Sequence, residues 1–275
     1  MSALTGDSRA AFDALVEAID GQPIMTPEQG ARIWEHFLEH EPVNVLDVGT
    51  CYGTSAAYMA GALRFLGRGD VVTVDTSQFE DVSPAREMVA ALLDRCGLAE
   101  RVTQVRMPHS SYAWWLLEEV ERCTDGAGQV QPAYDFIYID GAKSLTIDTT
   151  SVVLAEKLLR PGGWLLLDDL DWRYESRPEF QPTTVMGNGD RMTMSDAEVH
   201  TPHVGRLFDV VVCDHPAFGS FRRDADGQWG WARKLQTGPR ELVVRTELIT
   251  DAPGRTLLRE AGIRGIRKAR RIAGR

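Results

Sequence analysis

The chain alternates between short β-rich runs and longer segments with helical periodicity. Turn residues separate these elements, and the longer segments carry apolar residues at the spacing of an amphipathic helix. This alternation is typical of an α/β domain built on a mainly parallel sheet. The predicted strands are Val43–Val48, Asp70–Asp75, Val102–Met107, Tyr134–Asp140 and Gly163–Asp168, and the predicted helices between them are Ser55–Leu66, Pro84–Cys96, Tyr112–Cys123 and Thr146–Leu159.

The pattern changes near the C-terminus. Ala217–Arg223 and Gln228–Leu235 flank the turn signal Asp226-Gly227, which predicts a β-hairpin. We therefore predict a Rossmann-like α/β fold with a mixed seven-stranded sheet, five parallel strands plus an antiparallel hairpin, and helices on both faces. Four tryptophans are expected to pack in the core or against the hairpin, namely Trp114, Trp115, Trp229 and Trp231.

The remaining segments suggest three regions. Residues 1–40 predict an N-terminal helical cap, in which Asp7–Ile19 is one helix. Residues 41–240 form the main domain. Within it, residues 171–205 are a polar, lid-like insertion after the fifth strand, before a short helix predicted around His203–Val212. Residues 241–275 form a basic tail, since eight basic residues face a single acidic one from Arg255 onwards.

Composition narrows the class of protein. Of 275 residues, 43% are hydrophobic and 25% charged, which is ordinary for a globular chain, and the net charge of −10 argues against nucleic-acid binding. The four cysteines are scattered and predict neither a disulfide framework nor a zinc site. We expect a cytoplasmic protein without a transmembrane segment, acting on a small molecule, with a homodimer as the expected assembly.

A glycine-containing turn follows the first strand. Gly49 and Gly53 give the spacing G-x-x-x-G, which is neither the G-x-G-x-x-G of a dinucleotide site nor a phosphate-binding P-loop. Asp47 ends the strand before this loop, and Asp75 closes the second strand, where nucleotide-binding sheets place a ribose-binding carboxylate. An acid at each of these positions indicates S-adenosylmethionine (SAM) more than a dinucleotide.

With these motifs, residues 24–170 resemble the class I SAM-dependent methyltransferases, most closely the catechol and caffeoyl-CoA O-methyltransferases. The resemblance lies in the lead-in Ile24–Gly30, the loop Asp47–Ser55 and Asp75. It implies the class I methyltransferase fold, with SAM as cofactor. His109 and Ser110 fall where that group contacts adenine, although either residue could equally cap a helix. The cofactor-binding residues it implies are Met25, Asp47, Gly49, Thr50, Gly53, Ser55, Asp75, His109, Ser110 and Asp140.

Three carboxylates follow two neighbouring strands. Asp140 ends the fourth strand, and Asp168 and Asp169 end the fifth, so parallel pairing would bring all three to one rim of the sheet. Carboxylates this close repel one another unless a hard cation joins them, and Mg²⁺ suits oxygen ligands. The resembled group places its Mg²⁺ ligands at these strand ends, with Asn where this chain has Asp169. The alternative is that Asp168 and Asp169 are ordinary loop acids.

Lys143 lies three residues after Asp140 and is one of only four lysines among 30 basic residues. A lysine, unlike an arginine, can lose its proton near a cation and a desolvated substrate, so Lys143 is a candidate general base beside Asp140. In catechol O-methyltransferase the same spacing carries the catalytic lysine. The alternatives are that Lys143 is a surface residue, or that a histidine near the insertion, His200 or His203, is the base.

These inferences predict a metal-dependent SAM O-methyltransferase that methylates one hydroxyl of a vicinal diol. Trp172, Tyr174 and Phe180 could form an aromatic wall for substrate. The polarity of the insertion, with a resemblance to macrolide-sugar O-methyltransferases that share the paired aspartates, favours a sugar or glycosylated metabolite slightly over a catechol. Two alternatives remain open: a metal-independent small-molecule N- or O-methyltransferase, and a SAM-binding protein without catalysis.

Overall fold

The fold was analysed on a computed structural model, which describes residues 4–20, 22, 24–76, 85–177, 184–185 and 191–235. Seven strands form one sheet in the spatial order β3-β2-β1-β4-β5-β9-β8. Strands β1 to β5 pair in parallel, and β9 runs antiparallel to both β5 and β8. The predicted mixed sheet is therefore confirmed. Its strands are β1 Asn44–Val48, β2 Asp70–Thr76, β3 Val102–Met107, β4 Tyr134–Ile139, β5 Leu159–Leu167, β8 Phe218–Arg223 and β9 Gly230–Lys234, and a separate two-stranded pair comprises β6 Thr184–Val185 and β7 Arg191–Met192.

The helices lie between these strands much as the apolar periodicity predicts. Residues 1–40 supply two helices, and the second begins with a capping box in which Thr26 accepts from the Gln29 N–H, with Pro27 in the first turn. The α-helices are α1 Gly6–Ile19, α2 Pro27–His40, α3 Thr54–Phe65, α4 Ala85–Arg95, α5 Tyr112–Arg122, α6 Leu145–Leu158, α7 Asp196–Val199 and α8 His203–Leu207.

Two elements differ from expectation. β5 begins at Leu159 and runs through Pro161-Gly162-Gly163, because an irregularity in its pairing with β4 accommodates these residues between Tyr134 and Phe136. The helix expected over residues 203–212 is α-helical only to Leu207 and continues as a π turn over Phe208–Val212. In β5, pairing with β4 overrides the turn signal of the Pro-Gly-Gly sequence. After α8, the chain stays helical but changes its hydrogen-bond period.

Apolar clusters cover both faces of the sheet. One cluster joins α1, α2 and α3 to residues such as Phe136, Tyr138 and Leu166, and the other joins α5, α6 and α8 to residues such as Leu46, Ile137 and Leu165. Alternate residues of β4 and β5 thus face opposite layers. Trp229 and Trp231 are fully buried, as expected, and Trp115 packs against the second cluster, but the expectation for Trp114 was wrong. Trp114 is 55% exposed in the first turn of α5.

No described helix has the length and apolarity needed to cross a bilayer. The basic tail at 241–275 lies outside the described residues, as do Phe180 and much of the insertion. The domain boundaries predicted there remain predictions.

Candidate active site

The turn after β1 depends on glycine at two positions. Gly49 has a φ of 108° and Gly53 a φ of 82°, both in the region that favours glycine. A Cβ at Gly49 would lie 2.0 Å from the carbonyl oxygen of Asp140, and one at Gly53 would lie 2.8 Å from Val89 Cγ1. The spacing G-x-x-x-G therefore packs the loop against β4 and α4 and directs it into the N-terminus of α3.

Asp47 lies beneath this loop. Its carboxylate is fully buried and accepts hydrogen bonds from the hydroxyls of Ser55, at 3.1 and 3.2 Å, and Thr73, at 2.7 Å. Burial raises its pKa to about 7, although the Thr73 and Ser55 hydroxyls oppose the rise. Asp47 therefore supports the loop through Ser55 and Thr73, and its predicted role in cofactor binding stays a prediction.

Asp75 ends β2 beside the same loop. One carboxylate oxygen accepts from the backbone N–H of Cys51, at 2.7 Å, and the other from the hydroxyl of Tyr112, at 2.9 Å. The structure thus ties Asp75 to the glycine loop and to the start of α5. On the predicted adenine side, His109 Nε2 lies 3.0 Å from Glu118 and Ser110 is exposed.

A cleft of about 280 Å³ opens where the glycine loop, β4 and β5 meet. Six predicted site residues line it: Met25, Gly49, Thr50, Ser55, Asp140 and Asp168. Other predicted residues lie outside its lining, namely Asp47, Gly53, Asp75, His109, Ser110, Lys143 and Asp169. Sequence reasoning missed Tyr52 and Tyr138 as lining residues, together with Ile24, Cys51 and Thr54. Tyr138 could have been found, because it lies two residues before Asp140 on the same strand.

The three predicted carboxylates do meet at one rim of the cleft. The ammonium of Lys143 lies between two of them, paired with Asp140 and 2.6 Å from Asp169 Oδ2. Lys143 and Asp169 adopt φ values of 57° and 56°, in the left-handed region that non-glycine residues adopt at a cost. Both backbones are thus held in a strained form that turns the two side chains toward each other.

Asp168 is held differently. Its Oδ1 accepts from the indole N–H of Trp229, at 2.8 Å, and from the backbone N–H of Asp169, at 2.6 Å. Its Oδ2 accepts from the Tyr138 hydroxyl. The donors on Asp168 are therefore uncharged, in contrast to the ammonium that faces Asp140 and Asp169.

Burial dominates the electrostatics of this rim. Burial raises the pKa of Asp168 to about 7, with the charges of Asp140 and Asp169 adding to the rise. Burial also raises the pKa of Asp140, against the opposing charge of Lys143. Burial alone would lower the pKa of Lys143, but the charges of Asp140 and Asp169 outweigh it and raise that pKa. In this arrangement Lys143 is a cation.

The two histidines considered as alternative bases lie elsewhere. His203 is buried, its Nδ1 accepts from the Leu145 N–H at 3.2 Å, and its Nε2 lies 2.9 Å from the Glu198 carbonyl oxygen. Both ring nitrogens therefore join α7 to the start of α6. His200 Nδ1 lies 2.8 Å from the Asp196 carbonyl oxygen, and neither histidine lines the cleft.

The aromatic residues of the insertion also pack inward. Tyr174 is buried, and its hydroxyl donates to the Ala142 carbonyl at 3.3 Å, beneath the turn that carries Lys143. The Trp172 ring meets the Tyr174 ring edge to face, with centroids 4.6 Å apart. Tyr174 therefore supports the Lys143 turn, and Phe180 lies outside the described residues.

The residues of this rim can be compared with the requirements of a Mg²⁺ site. Among the side chains that the structure describes, no three acidic, histidine or cysteine groups are arranged to hold a metal as they stand. The ammonium of Lys143 nevertheless shows that a cation is accommodated between Asp140 and Asp169. When all three carboxylates are ionised, the single ammonium leaves two negative charges uncompensated. Carboxylate oxygens are also the hard donors that suit Mg²⁺. The donor chemistry of the rim therefore fits a divalent cation.

Comparison with known proteins shows similarity to methyltransferases. Residues 46–170 match a family model described as a methyltransferase domain. The chain is 25% identical over 187 residues to O-methyltransferase hkm8 of Aspergillus hancockii, which is 66% of this chain and 66% of that relative, just under two thirds of its length.

Solved structures show the same fold. An O-methyltransferase from Bacillus cereus in complex with SAH has a TM-score of 0.53 at 18% identity, covering 84% of this chain and 91% of that one. O-methyltransferase TomG from Streptomyces achromogenes, involved in tomaymycin synthesis and solved with SAM, has a TM-score of 0.52 at 19% identity, covering 86% and 92%.

The strand order and these similarities show the class of the fold: the chain has the Rossmann-like fold of class I SAM-dependent methyltransferases, and residues 46–170 are similar to a methyltransferase domain. At its cleft rim the chain carries the pair Asp168-Asp169 after β5 and places Lys143 between Asp140 and Asp169.

Proposed function

We propose that the protein is a divalent-metal-dependent O-methyltransferase that methylates one hydroxyl of a vicinal diol on a small molecule. The observation that carries this proposal is the imbalance of charge at the cleft rim, where Asp140, Asp168 and Asp169 face the single ammonium of Lys143. Burying a carboxylate without a counter-ion is costly. A site that holds three carboxylates and one ammonium is therefore suited to a cationic ligand.

In this proposal Asp140, Asp168 and Asp169 would hold Mg²⁺, which when bound supplies positive charge that lowers the pKa of a neighbouring hydroxyl. Asp140 and Asp168 line the same cleft as the glycine loop, so a substrate oxygen there lies beside the cofactor site. The contribution of the chain is alignment, since the methyl group of SAM is already activated.

Lys143 is the proposed proton acceptor, with a condition set by its partners. Its ammonium must first lose a proton to solvent, and this requires that its ion pairs with Asp140 and Asp169 be given up, because both charges hold its pKa above the ordinary value. The Asp140 and Asp169 carboxylates, when engaged by another cation, would release Nζ for the substrate hydroxyl. Until then Lys143 remains the counter-ion of the rim.

A polyhydroxylated substrate such as a sugar or glycosylated metabolite is favoured slightly over a catechol. Around the rim the described insertion is polar, with Asp171, Arg173 and Glu175 all exposed. The aromatic side chain nearest the Lys143 turn, Tyr174, is buried and packed rather than presented as a flat wall. Hydroxyl groups are better matched to this surface than an unsubstituted aromatic ring.

A metal-independent methyltransferase is the second candidate, and one observation favours it. Lys143 already neutralises part of the rim, so it could orient a substrate oxygen directly as a hydrogen-bond donor. In that case the carboxylates would serve to keep Lys143 charged and in place.

Chelation separates the two candidates. Transfer of labelled methyl from SAM to a panel of diols, sugars first, is measured with and without EDTA, and Mg²⁺ is titrated by calorimetry into protein loaded with S-adenosylhomocysteine. The proposal expects EDTA to abolish transfer, and Asp168→Asn to lose Mg²⁺ binding while keeping S-adenosylhomocysteine affinity within about threefold. Asp171→Asn is the matched control, because it removes one exposed charge just after the motif. Transfer that persists in EDTA selects the metal-independent candidate.

A further inference from the structure

The antiparallel pairing of β9 with β5 determines which residue reaches the end of β5. Leu166 pairs with Trp231 and Leu167 with Gly230, so the next pair in this register is Asp168 with Trp229. The backbone N–H of Leu170 also donates to the Gln228 carbonyl at 2.9 Å, which continues the contact past the strand end. The register of β9 against β5 therefore places Trp229 opposite Asp168.

The indole ring of Trp229 has little freedom. It is fully buried, and its Nε1–H donates to Asp168 Oδ1 at 2.8 Å. The guanidinium of Arg32 on α2 lies over the ring, 4.7 Å from its centroid, and is itself held at 2.8 Å by each of Asp224 and Asp226. The direction of the N–H is thus determined by helix α2 and the turn of the hairpin together.

We infer that Trp229 is a positioning residue that holds Asp168 in its orientation at the cleft rim, so that the C-terminal hairpin takes part in building the active site. This inference rests on the proposed function for what Asp168 does, but the contact itself can be tested separately. Trp229 and Tyr138 both donate from uncharged groups, so neither adds a positive charge beside Asp168. Without the indole N–H, one oxygen of a buried carboxylate would lose a partner and the side chain could turn away from the rim.

Trp231 provides a matched control. It lies two residues further along β9, is equally buried, and donates its indole N–H to Asp224, at 2.9 Å, away from the carboxylate rim. The same substitution to phenylalanine at either position removes one N–H and keeps an aromatic ring in the core. A general loss of packing would affect both variants alike. Trp231→Phe can reach Asp168 only indirectly, through Asp224 and Arg32, so loss of positioning would affect Trp229→Phe far more.

The first test does not depend on activity. In protein carrying ¹⁵N-labelled tryptophan, the spectra of Trp229→Phe and Trp231→Phe assign the two indole N–H signals by their absence. We expect Asp168→Asn to move the Trp229 signal upfield and leave the Trp231 signal in place, because an amide oxygen is a weaker acceptor than a carboxylate. An unchanged Trp229 signal overturns the inference.

The second test measures the consequence at the rim. Mg²⁺ is titrated by calorimetry into each variant loaded with S-adenosylhomocysteine, whose own affinity is measured first. Trp229→Phe should weaken Mg²⁺ binding about 10- to 100-fold while Trp231→Phe stays near the wild type. Equal effects in the two variants overturn the inference. If the wild type binds no Mg²⁺, the metal assignment fails, and the indole spectra still decide whether Trp229 positions Asp168.

Discussion

Gly49 in the glycine loop provides both a positive φ and the space for a close approach to Asp140. Replacing Gly49 by alanine, compared with a glycine that has only the positive φ, should separate these two contributions. An alanine Cβ would lie 2.0 Å from the Asp140 carbonyl oxygen, where ordinary contact begins near 3.4 Å. The ends of β1 and β4 would have to part by more than about 1 Å. Two backbone bonds resist this movement: Gly49 N–H to Val74 O, at 2.9 Å, and Asp140 N–H to Val48 O, at 2.8 Å.

The magnitude follows from these contacts. A non-glycine residue at such a φ costs about 1–3 kcal/mol, and each buried backbone bond that is broken costs about 1–3 kcal/mol more. With both bonds broken, Gly49→Ala should therefore lower the free energy of unfolding by about 3–9 kcal/mol. At about 2–4 °C per kcal/mol for a domain of this size, the melting temperature should fall by roughly 6 °C at least.

Gly67→Ala is the matched control for this experiment. Gly67 has a φ of 71°, also in the left-handed region, but a Cβ there would meet nothing within 4 Å. Its cost should be limited to about 1–2 kcal/mol from the backbone alone. Urea unfolding and calorimetry with S-adenosylhomocysteine measure both variants, and only Gly49→Ala should also weaken the ligand by about tenfold or more. Equal losses of stability and unchanged affinity in both would refute the steric argument.

Two further predictions concern His36, which is buried against the sheet, and Asp75, the predicted cofactor-binding carboxylate. Burial lowers the pKa of His36 from 6.5 to about 2, so the unfolded chain takes up the proton first and stability is lost as the pH falls below 6.5. Urea unfolding at about pH 7.5 and pH 5 should differ by about 2 kcal/mol more in the wild type than in His36→Leu, and an equal difference would contradict this. Tyr112→Phe removes the hydroxyl that donates to Asp75, and it should weaken S-adenosylhomocysteine about 5- to 10-fold, unlike Tyr134→Phe, whose hydroxyl donates to the distant Glu119.

The sequence predicts the sheet well because each parallel strand carries its own signal. Buried runs such as Tyr134–Ile139 are apolar on both faces, and the helices between them keep a clear period. The start of β5 was not predictable, since a Pro-Gly-Gly sequence signals a turn and only the pairing with β4 shows that the strand continues through it. The π turn at Phe208–Val212 likewise has no period of its own that a short sequence window could detect.

The candidate site was predictable where function depends on a strand end. Gly49, Asp140 and Asp168 follow β1, β4 and β5 directly, so the parallel topology alone brings them to one cleft. Sequence does not show which groups surround an acid beneath a loop, and the hydrogen bond from Thr73 to Asp47 appears only once the pairing of β1 with β2 is known. From sequence, Trp229 is an apolar aromatic residue expected in the core. Its contact with Asp168 appears only once the register of β9 against β5 is known.

The choice of donors around Asp168 has a consequence for the charge of the site. An arginine at either position would hold this carboxylate at least as firmly, but it would also cancel the negative charge permanently. The phenol of Tyr138 and the indole of Trp229 hold both oxygens without supplying a positive charge that would cancel it. Lys143 is the exception, and its ammonium is shared between Asp140 and Asp169 and carried on a flexible side chain. The rim therefore combines one anion that is oriented by uncharged donors with two anions whose counter-ion can be displaced, and this is the arrangement that an exchangeable cation requires.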